Sequence, residues 1–431
     1  MSDASTKSRR VALASLIGTT IEYYDFFIYG TAAALVFSAV FFPSVDPLTG
    51  TLLSLSTFAV AFIARPIGAI VIGHYGDRIG RKSMLVFTLM SMGGTTLLIG
   101  LIPSHAAIGV AAPILLVVLR FIQGFALGGE YGGAVLMATE HAEEAKHGSR
   151  ASLVQLGAPL GLILANVVFF ALAALSPHAF ETWGWRVPFI LSIVLVIFGV
   201  AIRMKIEESP SFKQVIDSGA VAEMPVVEVF RTSTLRVLLV ALTSVSVGVT
   251  FYVGTVYSLT YGTKQQGYSR NTMLAIVILA MIAVIIGVLL FGKLVDKVGS
   301  RKVFMYGSAG MIAAAPVFIA TLQTGNIALT IVGYLILFIP YSAAWSALSS
   351  MLAACFDTRI RYTGLSIGFT LGQVLGSAFA PIVATELLSR TRSLWSVAAY
   401  VVFAAALSAV TAALIRERRL APSPTQDLVG A

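Results

Sequence analysis

Four ionisable residues lie inside apolar stretches of this chain, where charge is costly. Glu22 and Asp25 stand three positions apart in the run Thr20, Ile21, Glu22, Tyr23, Tyr24, Asp25, a spacing that puts both on one helical face. Arg65 and Arg120 lie in two later apolar runs. At about 1.5 Å per residue, Glu22 is roughly 15 Å and Asp25 roughly 20 Å from the start of their run. Arg65 is about 12 Å from the end of its run, and Arg120 about 18 Å from the start of its own. In a hydrocarbon core about 30 Å thick, these groups share one central layer. An isolated charge there costs at least about 2.5–3.5 kcal/mol, so each must pair or face water. The chemistry this permits is proton exchange coupled to anion binding. Glu22 or Asp25 changes protonation, and an arginine alternates between carboxylate and anionic substrate, because desolvation favours the neutral acid and a nearby arginine the ionised one. A static ion-pair network that orients helices is the plainer alternative.

Other residues extend this set. Glu130 sits in Gly128, Gly129, Glu130, Tyr131, Gly132, Gly133, where glycines permit close helix packing. It reads as a structural contact at the cytoplasmic end, bonding the Gly73–Lys82 loop, or as a proton relay. The second half of the chain holds almost no buried charge. It offers Tyr252, Tyr257, Tyr341, Trp345 and Gln373, which could recognise a substrate by hydrogen bonds and stacking, with packing or lipid-facing roles as the plainer reading. Gly287, Gly292 and Lys293 mimic a phosphate loop, but Leu294 replaces the required hydroxyl residue and the stretch is an apolar span. The five histidines (His74, His105, His141, His147, His178) lack metal-ligand spacing, and no nucleophile elbow occurs. No enzyme, metal or cofactor is expected; the proton is the only coupling ion.

These residues need a membrane-spanning frame, and composition supplies one. The 431 residues are 57% hydrophobic and 11% charged, with a mean hydropathy of +0.90. Soluble domains carry about 25% charge, so this chain cannot cover a soluble globule. One cysteine, Cys355, excludes an internal disulfide framework. The net charge of +9 reads as topology and contact with anionic lipid, not nucleic acid. No cleavable signal is seen, and 1–10 and 417–431 read as short solvated tails. A membrane helix needs about 20 apolar residues. Twelve such runs are expected: 12–42, 50–72, 84–102, 108–139, 151–176, 184–204, 234–262, 271–291, 303–322, 326–354, 362–388 and 393–415.

The runs fall into two sets of six. Gly73, Asp77, Arg78, Gly80, Arg81 and Lys82 form a polar loop that returns 219 residues later as Gly292, Asp296, Lys297, Gly299, Arg301 and Lys302. A polar loop repeated at that offset in a hydrophobic chain marks two related bundles and a transporter built from repeats. We expect a six-helix bundle over 1–204, a linker over 205–233 and a second six-helix bundle over 234–431. The glycines allow tight passage between helices. Asp77 can cap a helix N-terminus or pair with an arginine. Asp77, Arg78, Arg81, Asp296 and Arg301 are therefore gating candidates, forming a latch that breaks as the bundles alternate. Most of the 29 basic residues fall on the side of these loops, which places both termini in the cytoplasm.

The stretches 21–30 (IEYYDFFIYG), 65–82 (RPIGAIVIGHYGDRIGRK), 120–133 (RFIQGFALGGEYGG), 183–189 (WGWRVPF), 207–212 (EESPSF) and 361–364 (RYTG) resemble the metabolite:H⁺ symporter family of the major facilitator superfamily. Its bacterial members include shikimate, α-ketoglutarate, citrate and proline/betaine carriers, and the likeness is strongest to the shikimate-like branch. The resemblance implies an all-α membrane protein with twelve transmembrane helices in two bundles, alternating access and proton symport. It assigns Asp77 and Arg81 to conformational gating and Arg120 to proton coupling. Two departures stand out. Ala353, Ala354, Cys355, Phe356 and Asp357 replace the usual Pro-Glu and Pro before Arg361, so a glutamate partner is missing from the second half, and Ser300 interrupts the second loop. The expected protein is a monomeric, multi-pass inner-membrane symporter importing a small organic acid with H⁺. Arg65 and Arg120 supply buried positive charge for that anion. A proline or betaine carrier is the alternative, with Glu22 and Asp25 facing a cation; a membrane-embedded receptor or enzyme would need a catalytic constellation at one water interface, and none is seen.

Overall fold

The computed structural model describes residues 3–142, 146–172, 177–205, 207–218 and 223–415. Among the described residues, twelve helices are long and apolar enough to cross a membrane. In chain order, spans 1 to 6 are Val11–Ala33, Ala59–Ile79, Arg81–Leu101, Ala111–Glu140, His147–Leu172 and Gly184–Met204. Spans 7 to 12 are Thr234–Thr263, Asn271–Val298, Ser300–Gln323, Ile327–Ala353, Thr358–Thr391 and Trp395–Leu414. Within the first six, span 1 packs on spans 5 and 6, and span 4 on spans 2 and 3; within the second six, span 7 packs on spans 11 and 12, and span 10 on spans 8 and 9. The result is two six-helix bundles. The end of the molecule that holds both repeated segments is called here the basic end.

Several boundaries differ from the hydropathy reading. The first helix begins at Asp3, inside the stretch read as a tail, and stops at Leu35. A separate short helix, Phe37–Phe41, follows and packs its rings on Trp185 and Phe189 at the far end of the bundle. The repeated polar segments are mostly helix. The helix Pro47–Ile79 runs through Gly73, Asp77 and Arg78, and the helix Arg270–Val298 runs through Gly292 and Asp296. Only Gly80 and Gly299 leave the helical path, with φ of 116° and 93°, a region that a side chain disfavours. The polar residues cluster where the apolar pattern of each helix ends, so hydropathy alone read helix ends as loop. The linker holds two short helices, Pro210–Asp217 and Pro225–Thr232. The basic residues of the C-terminal tail, Arg416, Arg418 and Arg419, lie outside the described residues.

Close backbone packing sets the position of the central charges. A Cβ on Gly68 would lie 1.8 Å from the Phe125 carbonyl oxygen, and one on Gly128 would lie 2.1 Å from that of Arg65. Spans 2 and 4 therefore touch along their backbones, which small residues permit. That contact brings Arg65 and Arg120 beside one another and beside the aromatic face of span 1.

Candidate functional site

The central layer contains two separate acid–arginine systems. In the first, Asp25 and Arg120 are joined through a chain of neutral side chains. The Thr96 hydroxyl donates to Asp25 Oδ2 at 3.0 Å. The Gln123 amide donates to Thr96 Oγ1 at 2.6 Å, and Arg120 Nη1 donates to Gln123 Oε1 at 2.5 Å. Asp25 Oδ1 is buried with no hydrogen-bond partner among the described residues. The Arg120 guanidinium lies 3.9 Å from the Tyr29 ring centroid and 5.0 Å from that of Phe26, distances at which a cation is attracted to the ring face. Arg120 and Asp25 are close enough to act on each other electrostatically without touching.

Glu22 belongs to the second system, and its partner is neither Arg65 nor Arg120. Arg203, at the end of span 6, sends Nη2 to Glu22 Oε1 at 3.3 Å. The same guanidinium is ion-paired to Glu130 and donates through Nη1 to the Leu85 carbonyl at 2.6 Å and to Glu130 Oε2 at 3.2 Å. Thr88 donates to Glu130 Oε2 at 2.5 Å. Glu130 thus bonds span 6 and span 3, not a repeated segment. Gly18 makes the room: a Cβ there would lie 2.0 Å from Arg203 Nη2. Arg203 carried no sequence signal, because beside Met204 and Lys205 it reads as one more basic residue at a span end.

Between the bundles lies a small cavity of about 30 Å³, lined by Thr19, Glu22, Tyr23, Arg65, Leu127, Tyr131, Phe369, Thr370 and Gln373. Arg65 rests against Phe26 and Phe62, 4.7 and 4.5 Å from their centroids. It forms no hydrogen bond or ion pair among the described residues, and its Nε is unpartnered. Gln373 Oε1 accepts from Ser377 at 2.7 Å, while its Nε2 has no partner among the described residues. Tyr131 and Phe369, from opposite bundles, stack with centroids 3.5 Å apart and close one side of the cavity. So Arg65, Gln373 and Glu22 meet here as candidates, whereas Thr19, Tyr23, Tyr131, Phe369 and Thr370 were not foreseen.

Of the remaining second-half candidates, Tyr252, Tyr341 and Trp345 lie beside residues of this cavity wall without lining it, and Tyr257 does neither. Tyr252 is within electrostatic range of Arg65 and packs edge-on against Phe62. Tyr257 is buried in a widened turn of span 7 with its hydroxyl unpartnered. Tyr341 stacks on Trp345 at 6.2 Å. Trp345 is committed elsewhere: its indole N–H donates to the Gln155 carbonyl at 3.0 Å, and Gln155 Nε2 donates back to the Trp345 carbonyl at 2.8 Å.

At the basic end the bundles are stitched together by reciprocal contacts. Asp77 accepts from the backbone N–H groups of Tyr362 and Thr363 at 3.2 and 2.9 Å, and from the Thr363 hydroxyl at 2.8 Å. It therefore caps the N-terminus of the span 11 helix, where an anion is favoured. Asp296 mirrors it by accepting from the N–H of Ser149, in the first turn of span 5, at 3.0 Å. Arg81 is ion-paired to Glu140, whose other oxygen takes Arg361 Nη1 at 2.8 Å. Arg81 also donates to the Thr358 carbonyl at 3.3 Å and to Ser209 of the linker at 3.2 Å. The second bundle contributes an arginine, Arg361, and the acid comes from the first, so no glutamate is needed in the second half. Arg78 is exposed and makes no hydrogen bond among the described residues. Arg301 donates to the Ala413 carbonyl within its own bundle. Neither reaches across, unlike the other gating candidates.

Known proteins are similar to this chain in sequence and in fold. The family model described as Major Facilitator Superfamily matches residues 15–367. The chain is 40% identical to the inner membrane metabolite transport protein YhjE of Escherichia coli K12, over 95% of this chain and 94% of that protein. It is 36% identical to the shikimate transporter of the same organism, over 96% of each. A glycine betaine/proline/ectoine/pipecolic acid transporter of Dickeya dadantii, OusA, is 33% identical over 95% of this chain and 83% of that one. Among solved structures, the proton:xylose symporter XylE bound to 6-bromo-6-deoxy-D-glucose has a TM-score of 0.77 at 17% identity, covering 95% of this chain and 94% of that one, a likeness of fold. With twelve spans in two bundles and relatives that move metabolites, this chain is a multi-pass membrane transporter, not an enzyme, and it belongs to the major facilitator superfamily.

Proposed function

We infer that the protein imports a small organic acid anion together with a proton by alternating access between its two bundles. The observation that carries this reading is the cavity wall, where Arg65 Nε and the Gln373 amide Nε2 are donors with no acceptor among the described residues. A carboxylate fits both, since a planar fork of donors matches two carboxylate oxygens. The aromatic rings of Tyr23, Tyr131 and Phe369 face the apolar body of such a molecule. Glu22, the one acid on the wall, is already held by Arg203, which disfavours a betaine-like cation at that point. Shikimate-class hydroxy acids are the first candidates, given the shikimate transporter among the relatives.

Charge counting supports the proton. The first bundle buries three carboxylates, Glu22, Asp25 and Glu130, and three arginines, Arg65, Arg120 and Arg203, in and beside the central layer. An incoming monoanion upsets that balance by one unit, and in low dielectric an uncompensated charge is expensive. Uptake of one proton restores neutrality. The gate sits at the basic end, through Asp77, Asp296, Arg81, Glu140 and Arg361. The concentration of basic residues at that end supports a cytoplasmic location for it and for both termini, in a bacterial inner membrane with the monomer as the working unit.

The test is uptake into proteoliposomes from a panel of organic acids and betaines, with and without an inward proton gradient. Accumulation of an organic acid that collapses with the gradient supports the reading. Gradient-independent accumulation, or uptake of betaines alone, refutes it.

A further inference from the structure

Glu130 and Glu22 do not hold Arg203 equally. Glu130 engages the guanidinium through both oxygens and is also bonded by Thr88. Glu22 has one contact, at 3.3 Å, and it is the member that lines the central cavity. Arg203 in turn lines a second small cavity on the basic side, with Ser15, Lys82, Leu85 and Met137. The group therefore stands between two cavities, one facing the substrate and the other facing the basic end, wholly inside the first bundle.

Two carboxylates around one guanidinium carry a net charge of −1, and the group is almost fully buried, with Glu22 and Glu130 each at 1% exposure and Arg203 at 3%. The charged and titratable groups facing it are Tyr23 on span 1, Arg65 on span 2, Lys82 at the start of span 3, Tyr131 on span 4 and Tyr362 on span 11. Arg65 lies across the cavity from Glu22 and offsets its charge while the cavity is empty. An anion seated on Arg65 removes that offset.

We propose that Glu22, Arg203 and Glu130 form a proton-binding centre distinct from Asp25 and Arg120, in which Glu22 takes the proton when an anion occupies Arg65 and releases it toward the basic end along the Arg203 cavity. The inference rests on the proton-coupled reading above and gives it a location. When Glu22 is protonated, Glu130 alone balances Arg203. When Glu22 loses its proton, the carboxylate returns to Arg203. The proton leaves inside the first bundle, by a path that does not require the cleft between bundles to open.

The proposal makes an unusual demand of Glu130, which is not itself the proton carrier. Deleting either carboxylate leaves one acid and one base, so the survivor has no reason to bind a proton. The test is infrared spectroscopy of the purified full-length protein with and without saturating shikimate, titrated upward from about pH 5.5, where the added acid is already ionised, and read at the carbonyl stretch of a buried carboxylic acid. Wild type with shikimate is expected to show such a band that fades as pH rises, and wild type alone to show it weakly or not at all. Glu22→Gln and Glu130→Gln are each expected to lose it, and Asp25→Asn to retain it. Glu22→Asp, a milder change, is expected to keep a band at a shifted position, which covers the case of a glutamine variant that does not fold. Persistence of the band in Glu130→Gln overturns the proposal. Its loss in Asp25→Asn alone moves the proton to Asp25 and also overturns it, while leaving the proton-coupled reading intact. The proton-gradient uptake assay judges that reading separately.

Discussion

Asp77→Asn tests how much of the closed basic end depends on one side chain. In the structure Asp77 receives three hydrogen bonds from the other bundle, at 3.2, 2.9 and 2.8 Å. Asparagine retains one carbonyl oxygen for the Tyr362 N–H. Its amide replaces the oxygen that faces the two Thr363 donors, so two contacts are lost, together with the charge at the helix N-terminus. Hydrogen bonds to a charged group contribute about 1.5–3 kcal/mol each, and a charge at a helix terminus about 0.3–1 kcal/mol. Water recovers much of this once the gate opens, leaving a net shift of about 2–3 kcal/mol toward the open form. At about 1.4 kcal/mol per factor of ten, the open population relative to closed rises roughly 30- to 150-fold. Spin labels at Lys205 and Lys302, both exposed and on opposite bundles at the basic end, report the separation by electron–electron double resonance. A second, longer distance population in Asp77→Asn is expected. Distributions superimposable on wild type would refute the latch.

Three further perturbations reach other parts of the account. Gly18→Ala places a Cβ 2.0 Å from Arg203 Nη2, forcing the guanidinium off Glu22; uptake is expected to fall about tenfold, a loss of about 1.4 kcal/mol, with the protein still folded in detergent, and normal uptake would count against Arg203. Glu22→Gln keeps an oxygen for the Arg203 guanidinium but removes the proposed proton acceptor. It is expected to lose proton-driven accumulation while equilibrium exchange of the organic acid continues, and full accumulation would remove Glu22 from coupling. Gly68→Ala sets a methyl 1.8 Å from the Phe125 carbonyl oxygen and must separate spans 2 and 4; overpacking costs about 1–3 kcal/mol, so the apparent melting temperature should drop, and an unchanged value would mean the helices part easily.

The architecture was legible in the sequence because it is written in periodic, local terms. Apolar length marks the spans, and the shared Gly-Asp-Gly spacing of 73–80 and 292–299 marks the repeat. Glu22, Asp25, Arg65 and Arg120 were legible because a charge within an apolar run is conspicuous. Their partners were not. Thr96 and Gln123 are neutral, so nothing in hydropathy flags them as the bridge between Asp25 and Arg120. Arg203, Glu140 and Arg361 lie near span ends, where charge is ordinary, and only the fold shows that each points inward. The contacts that join the two bundles at the basic end link residues as far apart as Asp77 and Thr363, a pairing that no local pattern encodes. Gly18 was silent for a related reason: its lack of a side chain matters only because an arginine 185 positions later occupies the space.

The claim on which the rest depends is that an organic anion and a proton cross together, and one recording tests it directly. Proteoliposomes containing a trapped pH dye, with no imposed proton gradient, are given an inward gradient of the transported acid. Internal acidification in step with acid entry, abolished by a protonophore that lets the proton re-equilibrate, is the predicted result. Acid entry with no change in internal pH would contradict the account.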